Sequence, residues 1–325
     1  MKFSTFQIMH LPAGESCTGV IHGTLEQIVA SEALGYANVW LSEHHGSPYC
    51  ISVAPSALAA AVAMRTERLG IGYAVNILPL SHPLKLAEEL SSVDQLCKGR
   101  LIAGFGSGNQ AGEFGMFGLD FEHRKAMARE ALDTIKRLWA DEVVSAEGRY
   151  FSLRDAKLVI RPHQKPHPPI CVAVGSAEGA AAMGGQRFGI NLAGPHAALP
   201  EKIQAYRAAC PPGFAGHVGY LRNIYVRQGS IDGHRVRRAV DVFGKLLSGS
   251  AELTADQVDF FRDALGFYGP PPAMVAHMRD LEEMGIDEVL CSFKWGDLSF
   301  QEAQTSMETF AALVSPHFSA ARSQR

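Results

Sequence analysis

The chain has no apolar run approaching the roughly 20 residues a membrane-crossing helix requires, no Lys/Arg-rich stretch and no Cys-x-x-Cys pair. The first absence argues against a helical membrane protein. The opening MKFSTFQIMH has no continuous apolar core of a signal-peptide type, so it reads as a first strand and the protein as cytoplasmic. The second absence, with 30 basic against 33 acidic residues and a formal net charge of -3, leaves no electropositive field to follow a phosphate backbone. Nucleic acid is therefore not an expected partner. The third leaves Cys17, Cys50, Cys97, Cys171, Cys210 and Cys291 scattered singly, a pattern of reduced thiols in or near a core rather than of zinc ligands or a redox pair.

What is present is enough apolar material for a large core: 325 residues, 47% hydrophobic and 19% charged. Short apolar runs alternate with helical patterns along the whole length, which is how repeated strand-helix units with a parallel sheet read in sequence. Strands are predicted near Lys2 to Ile8, Ala37 to Leu41, Leu69 to Val75, Leu101 to Phe105, Ile170 to Val174, Ile190 to Ala193, His217 to Val226 and Glu288 to Ser292. Between and after them, one-faced apolar spacing predicts helices over Leu25 to Leu34, Pro55 to Met64, Pro83 to Leu96, Arg124 to Trp139, Ala177 to Gly184, Pro200 to Ala209, Val236 to Leu247, Pro272 to Met284 and Phe300 to Leu313. Such an α/β alternation predicts a (β/α)8 TIM barrel, and residues 1–325 read as a single domain. A doubly wound sheet would announce a Gly-x-Gly-x-x-Gly turn after the first strand, where this chain has HLPAGESCTG. Two interruptions stand out: EGRYFSLRDAKLVIRP (Glu147 to Pro162), read as a hairpin or extended insertion between units four and five, and Ser248 to Pro272, read as a mobile excursion near the barrel mouth before the last unit.

In such a barrel the loops leaving the C-terminal ends of the strands build the active site, so polar clusters directly after strands carry most weight. LSEHHG (Leu41 to Gly46) places Glu43, His44 and His45 at the end of the second strand. A histidine there could move protons or hold an oxygen-rich group, although it could also simply bond a neighbouring strand end. Adjacent residues of an extended segment point to opposite faces, so His44 and His45 are poorly placed to share one ion, and no metal is expected. After the fourth strand, Gly104, Gly106, Ser107 and Gly108 could bring backbone N–H groups close to a flat or anionic ligand, or could merely permit tight packing. Gly175, Ser176 and Ala177 head a helix after the fifth strand. That end could cradle a phosphate, or Ser176 could be an ordinary N-cap. Arg124, at the head of another helix, could pair with the same phosphate or lie in solvent. Ala74-Val75-Asn76 and the following Ile77-Leu78-Pro79 offer an apolar stretch suited to the face of an aromatic ring system.

WLSEHHG, AVNILPLSHPLKLAEELSSVDQLCKGR and GSGNQAGEFGMFG together resemble successive signatures of the bacterial luciferase-like monooxygenase family, flavin-dependent enzymes on a (β/α)8 barrel. The resemblance is densest over residues 36–139 and continues more weakly through PPICVAVGSAEGAAAM and GPPPAMVAHMRDLEEMGIDEVLCSF. It implies reduced FMN (FMNH2) supplied by a separate flavin reductase, reaction with O2 through a C4a-peroxyflavin, and oxygenation of a small-molecule substrate by a homodimer. A smaller branch of the family uses the deazaflavin F420 for hydride transfer, and a non-catalytic flavin-binding protein is a third reading. Position by position, the resemblance implies that His44 is the catalytic histidine beside the flavin, that Ala74-Val75 is a non-prolyl cis peptide under the ring system, that Ser176 contacts the phosphate, and that Arg124 lies one position from a phosphate-binding arginine. Ser107 and Gly175 depart from the family pattern: Ser107 stands where the luciferase α chain has an arginine, which implies looser flavin retention. Substrate choice is expected to reside in loop side chains such as Tyr49, Phe114, Met116, Phe267 and Trp295.

Overall fold

The computed structural model describes residues 1–322. In chain order its elements are β1 (Lys2–Gln7), α1 (Cys17–Ala33), β2 (Asn38–Leu41), α2 (Pro55–Ala63), β3 (Gly70–Tyr73), β4 (Asn76–Ile77), α3 (Pro83–Leu96), β5 (Leu101–Gly106), α4 (Ala111–Met116), α5 (Arg124–Ala140), β6 (Val144–Glu147), β7 (Ser152–Ala156), β8 (Ile170–Ala173), α6 (Ala177–Gly185), β9 (Gly189–Leu192), α7 (Leu199–Ala209), β10 (Val218–Val226), α8 (Gly233–Ser248), α9 (Ala255–Leu265), β11 (Gly266–Gly269), α10 (Pro271–Glu283), β12 (Glu288–Ser292) and α11 (Phe300–Leu313). Parallel pairing runs β1-β2-β3-β5-β8-β9-β10-β12, and β12 returns to β1 in register from Lys2↔Glu288 to Thr5↔Cys291. The sheet is thus a closed (β/α)8 barrel, and each of the eight predicted strands is one of its staves.

Closure explains why the strands read as nearly continuous apolar runs: both faces are covered. Val39, Leu41, Ile71, Leu101, Ala103 and Phe105 point out to one half of the helical layer, and Phe3, Ile190, Tyr220, Ile224 and Val289 to the other. Phe6, Ile8, Trp40, Cys171 and Leu290 fill the interior. At the N-terminal end a buried carboxylate organises the floor. Glu288 accepts from Asn38 Nδ2 at 2.8 Å and Trp40 Nε1 at 2.7 Å, while its other oxygen lies 3.1 Å from His217 Nε2. Burial opposes its charge, but the His217 and Ser4 hydrogen bonds and the charge of His217 outweigh it and bring its pKa down to about 2.

The differences from the sequence reading lie outside the barrel strands. Helix α1 starts at Cys17 rather than Leu25, because Ser16 caps it by accepting from Gly19 N. The insertion between units four and five is the antiparallel β6–β7 hairpin, whose turn is held by the Glu130 carboxylate accepting from the backbone N–H groups of Arg149, Tyr150 and Phe151. The excursion before the last unit contains α9, started by a reciprocal Thr254–Gln257 capping box, and β11, which adds to β10 as an extra parallel strand. Among the described residues, no helix is long and apolar enough to cross a membrane.

Candidate active site at the C-terminal mouth

The end of β2 delivers EHHG into the mouth, and each residue of the motif has a distinct job. Glu43 is buried, accepts from Ile77 N at 2.8 Å and lies 3.0 Å from His45 Nε2, so it ties the β2 loop to β4. His44 Nδ1 donates to Glu113 Oε1 at 2.8 Å, and the same oxygen accepts from His45 N at 2.9 Å. A carboxylate can only accept, so Nδ1 carries the proton and Nε2 is the ring nitrogen left for chemistry. Glu113 is buried, and its Oε2 has no hydrogen-bond partner among the described residues. Sequence reasoning missed Glu113. The available signal was an acidic residue in the loop segment after a barrel strand.

Beside this pair the third stave breaks and resumes. The Ala74–Val75 peptide, between β3 and β4, is cis, at the position where the family resemblance puts one. Ala74 and Val75 are half-buried while Tyr73 and Asn76 on either side are buried, so a small apolar step opens onto the mouth. Asn76 is held from below by its Nδ2 donating to Gly104 O at 3.3 Å.

The glycines of the fourth loop are closely packed on their Cβ side. A Cβ on Gly104 would stand 1.4 Å from the Tyr73 carbonyl oxygen, one on Gly106 would stand 2.6 Å from Val75 Cγ2, and one on Gly108 would meet Phe114. At Gly106 the space on the Cβ side is taken by Val75, so the glycine packs directly against the Ala74–Val75 step. Ser107 is half-buried in the same loop. Gly175 and Ser176 are exposed ahead of α6, with Ser176 Oγ accepting from Gly179 N at 3.1 Å, which is an N-cap and leaves other N–H groups of that end open. Ala177 begins the helix. Arg124 heads α5, with its guanidinium 3.8 Å over the Phe121 ring and one N–H donated to Phe121 O at 2.9 Å. Among the described residues it has no carboxylate partner, so further guanidinium N–H donors are left for an anion. The helices headed by Arg124 and Ala177 follow the adjacent staves β5 and β8.

Of the five side chains expected to choose substrate, Tyr49 reaches His44, their rings lying 5.1 Å apart. Phe114 is fully buried against Phe121, and Trp295 is fully buried with its indole N–H donated to Ile224 O, so both are packing residues. Phe267 faces the helical layer, where it stacks on His277 at 4.4 Å. Met116 is exposed and lies over Gly46. Periodicity identifies an aromatic residue near a strand end but not the face it takes. Among the described residues, no three His, Cys, Asp or Glu side chains gather as they would round a metal ion.

A family profile described as luciferase-like monooxygenase matches residues 1–217. The chain belongs to the luciferase-like monooxygenase family. It is 30% identical over 292 residues to the uncharacterized protein y4wF of Sinorhizobium fredii, covering 83% of each chain. It is 35% identical over 174 residues to limonene 1,2-monooxygenase of Rhodococcus erythropolis, covering 54% of this chain and 45% of that one. Apart from y4wF, the chain spans about half the length of the curated relatives it matches. Among solved structures, the monooxygenase RslO1 from Streptomyces bottropensis superposes with a TM-score of 0.87 at 26% identity, over 98% of this chain and 100% of that one.

Proposed function

We propose that this luciferase-like protein is an FMN-dependent monooxygenase which receives reduced flavin from a separate reductase and uses O2 to oxygenate a small organic substrate. The observation that carries the reading is the His44–Glu113 pair next to the cis Ala74–Val75 step at the C-terminal mouth. The residues fit a flavin: an apolar step for the ring system, a helix end with open N–H groups at Gly175, Ser176 and Ala177, and Arg124 with unused donors. When bound, the reduced flavin would supply the two electrons that activate O2, and O2 would supply the oxygen atom transferred.

The chain's own contribution is positional and protonic. Glu113 fixes the His44 tautomer and ring angle, so Nε2 accepts or returns a proton at the reacting oxygen. Ala74, Val75 and Tyr49 present carbon rather than water to the reacting edge. With Ser107 in place of an arginine, the phosphate would be held by Arg124 and the Gly175–Ala177 helix end. This suits a flavin that arrives reduced and leaves oxidised. The protein is taken to work as a cytoplasmic homodimer, which light scattering at micromolar concentration checks.

The test is anaerobic titration with FMNH2 followed by rapid mixing with oxygenated buffer, observed in the near ultraviolet and at the oxidised-flavin band. A transient distinct from reduced and oxidised flavin is expected. Reoxidation at the rate of free flavin would overturn the reading, and turnover of F420 without O2 would replace it with hydride transfer.

A further inference from the structure

His10 follows β1 at the barrel mouth, and its side chain is fully buried. Its Nδ1 lies 2.5 Å from the Tyr49 carbonyl oxygen, an atom that can only accept, so Nδ1 carries the proton and Nε2 a lone pair. That Nε2 is buried and has no hydrogen-bond partner among the described residues. Buried acceptors ordinarily find a donor within the protein, so one left open marks a place for a group that arrives with a ligand. Burial, helped by the nearby Lys294 ammonium and His44, holds the imidazole pKa down at about 3, so the ring stays neutral across the working range.

The surroundings narrow the donor. The His10 ring packs at 5.2 Å against Tyr49 and 5.3 Å against Phe243, and Tyr49 reaches on to His44 at 5.1 Å. These walls suit a flat, largely apolar molecule. Lys294, on the loop directly after β12, is itself buried and has one carboxylate partner, Glu15 at 3.2 Å. A carboxylate ligand has no proton to give Nε2, and an ammonium ligand would be repelled by Lys294. A phenolic or enolic hydroxyl has a strongly polarised proton to give Nε2 and a flat apolar body to lie against these rings. Tyr49 lies in the turn between β2 and α2, outside any helix or strand, so its ring can swing aside without breaking the sheet.

We propose that His10 Nε2 accepts a hydrogen bond from an acidic hydroxyl, phenolic or enolic, on the molecule that the mouth acts on. This rests on the monooxygenase reading for the statement that the bound molecule is the substrate, but its test needs neither flavin nor oxygen. Fluorescence titration of the flavin-free protein with 2-naphthol and with 2-methoxynaphthalene compares a hydroxyl with its methyl ether on one ring system. The wild type is expected to bind the naphthol about 10-fold more tightly. His10→Leu should bring the two within about 2-fold, since a neutral hydrogen bond is the interaction removed.

Equal binding by the wild type, no binding of either compound, or a preference retained by folded His10→Leu would overturn the proposal. Should His10→Leu fail to fold, 15N NMR of the wild type decides. Adding 2-naphthol, but not the ether, is expected to move the unprotonated Nε2 resonance upfield, and an unmoved resonance overturns the assignment. Failure here leaves the oxygen transient of the monooxygenase test untouched, whereas loss of that transient with the naphthol preference intact would remove the functional reading alone.

Discussion

Two buried carboxylates, Glu288 at the floor and Glu113 at the mouth, differ in how fully they are paired. At the floor, both oxygens of Glu288 are taken up by Asn38, Trp40 and His217. At the mouth, Glu113 keeps one oxygen and His10 one nitrogen buried without a partner among the described residues. A filled network ties staves together, while open positions cost stability and are retained where a ligand completes them. The contrast separates a paired carboxylate that ties staves together from open positions beside the EHHG loop at the mouth.

Substitutions at the two ends should therefore separate stability from activity. The largest effect is expected at the mouth: His44→Ala should lower substrate oxygenation by about 10²–10⁴-fold, the range for a lost acid-base group, while FMNH2 binding and the melting temperature stay close to wild type. Stopped-flow oxidation traces identical to those of the wild type would remove His44 from the chemistry. At the floor the pattern should invert. Glu288→Ala is expected to cost about 3–5 kcal/mol in urea unfolding, as when one partner of a buried charge network is removed, with activity per folded molecule retained.

The same carboxylate gives the floor an acid signature. Its folded pKa of about 2 lies below the ordinary 4.5, so its contribution is fully present above pH 4.5 and is lost as pH falls from there towards 2. That loss amounts to about 3 kcal/mol, measurable as the difference between wild-type and Glu288→Ala stability across this window. An equal pH dependence in both proteins would assign acid unfolding elsewhere.

Smaller changes sharpen the account of the mouth. Gly106→Ala pushes a methyl group into Val75 and is expected to cost about 1–3 kcal/mol and to weaken FMNH2 binding through the displaced Ala74–Val75 step. Thermal unfolding and flavin titration of the same variant check both halves. Ser176→Ala should cost about 1 kcal/mol as a lost helix cap. A further few-fold fall in FMN affinity, absent for riboflavin, would show that this helix end meets the phosphate.

The barrel was legible because each stave is an apolar run flanked by a helix with one apolar face, and all eight lie where those runs predicted. Helix α9 and strand β11 were not: VDFFRDALGFYG combines aromatics and charges without a clear period, and its helix depends on the Thr254–Gln257 capping box. At the site, EHHG stood out because a carboxylate and two histidines follow a strand directly, while the cis Ala74–Val75 peptide and the role of Ser176 came from the family resemblance. Glu113 and His10 did not stand out, since one is a lone acid in a glycine-rich loop and the other ends an alternating strand. What marks them is burial and an unfilled hydrogen-bond position, which only the folded chain displays. The glycines at 104, 106 and 108 were open to either a ligand or tight packing in the sequence, and the fold shows the close packing against Tyr73, Val75 and Phe114.

The most direct test of the mouth as the flavin site is the electron density of a crystal grown with FMN. The account predicts the isoalloxazine over Ala74–Val75 with its reactive edge towards His44 Nε2, and the phosphate between Arg124 and the Gly175–Ala177 helix end. Density for FMN elsewhere, or a phosphate that meets neither Arg124 nor Ser176, would contradict it.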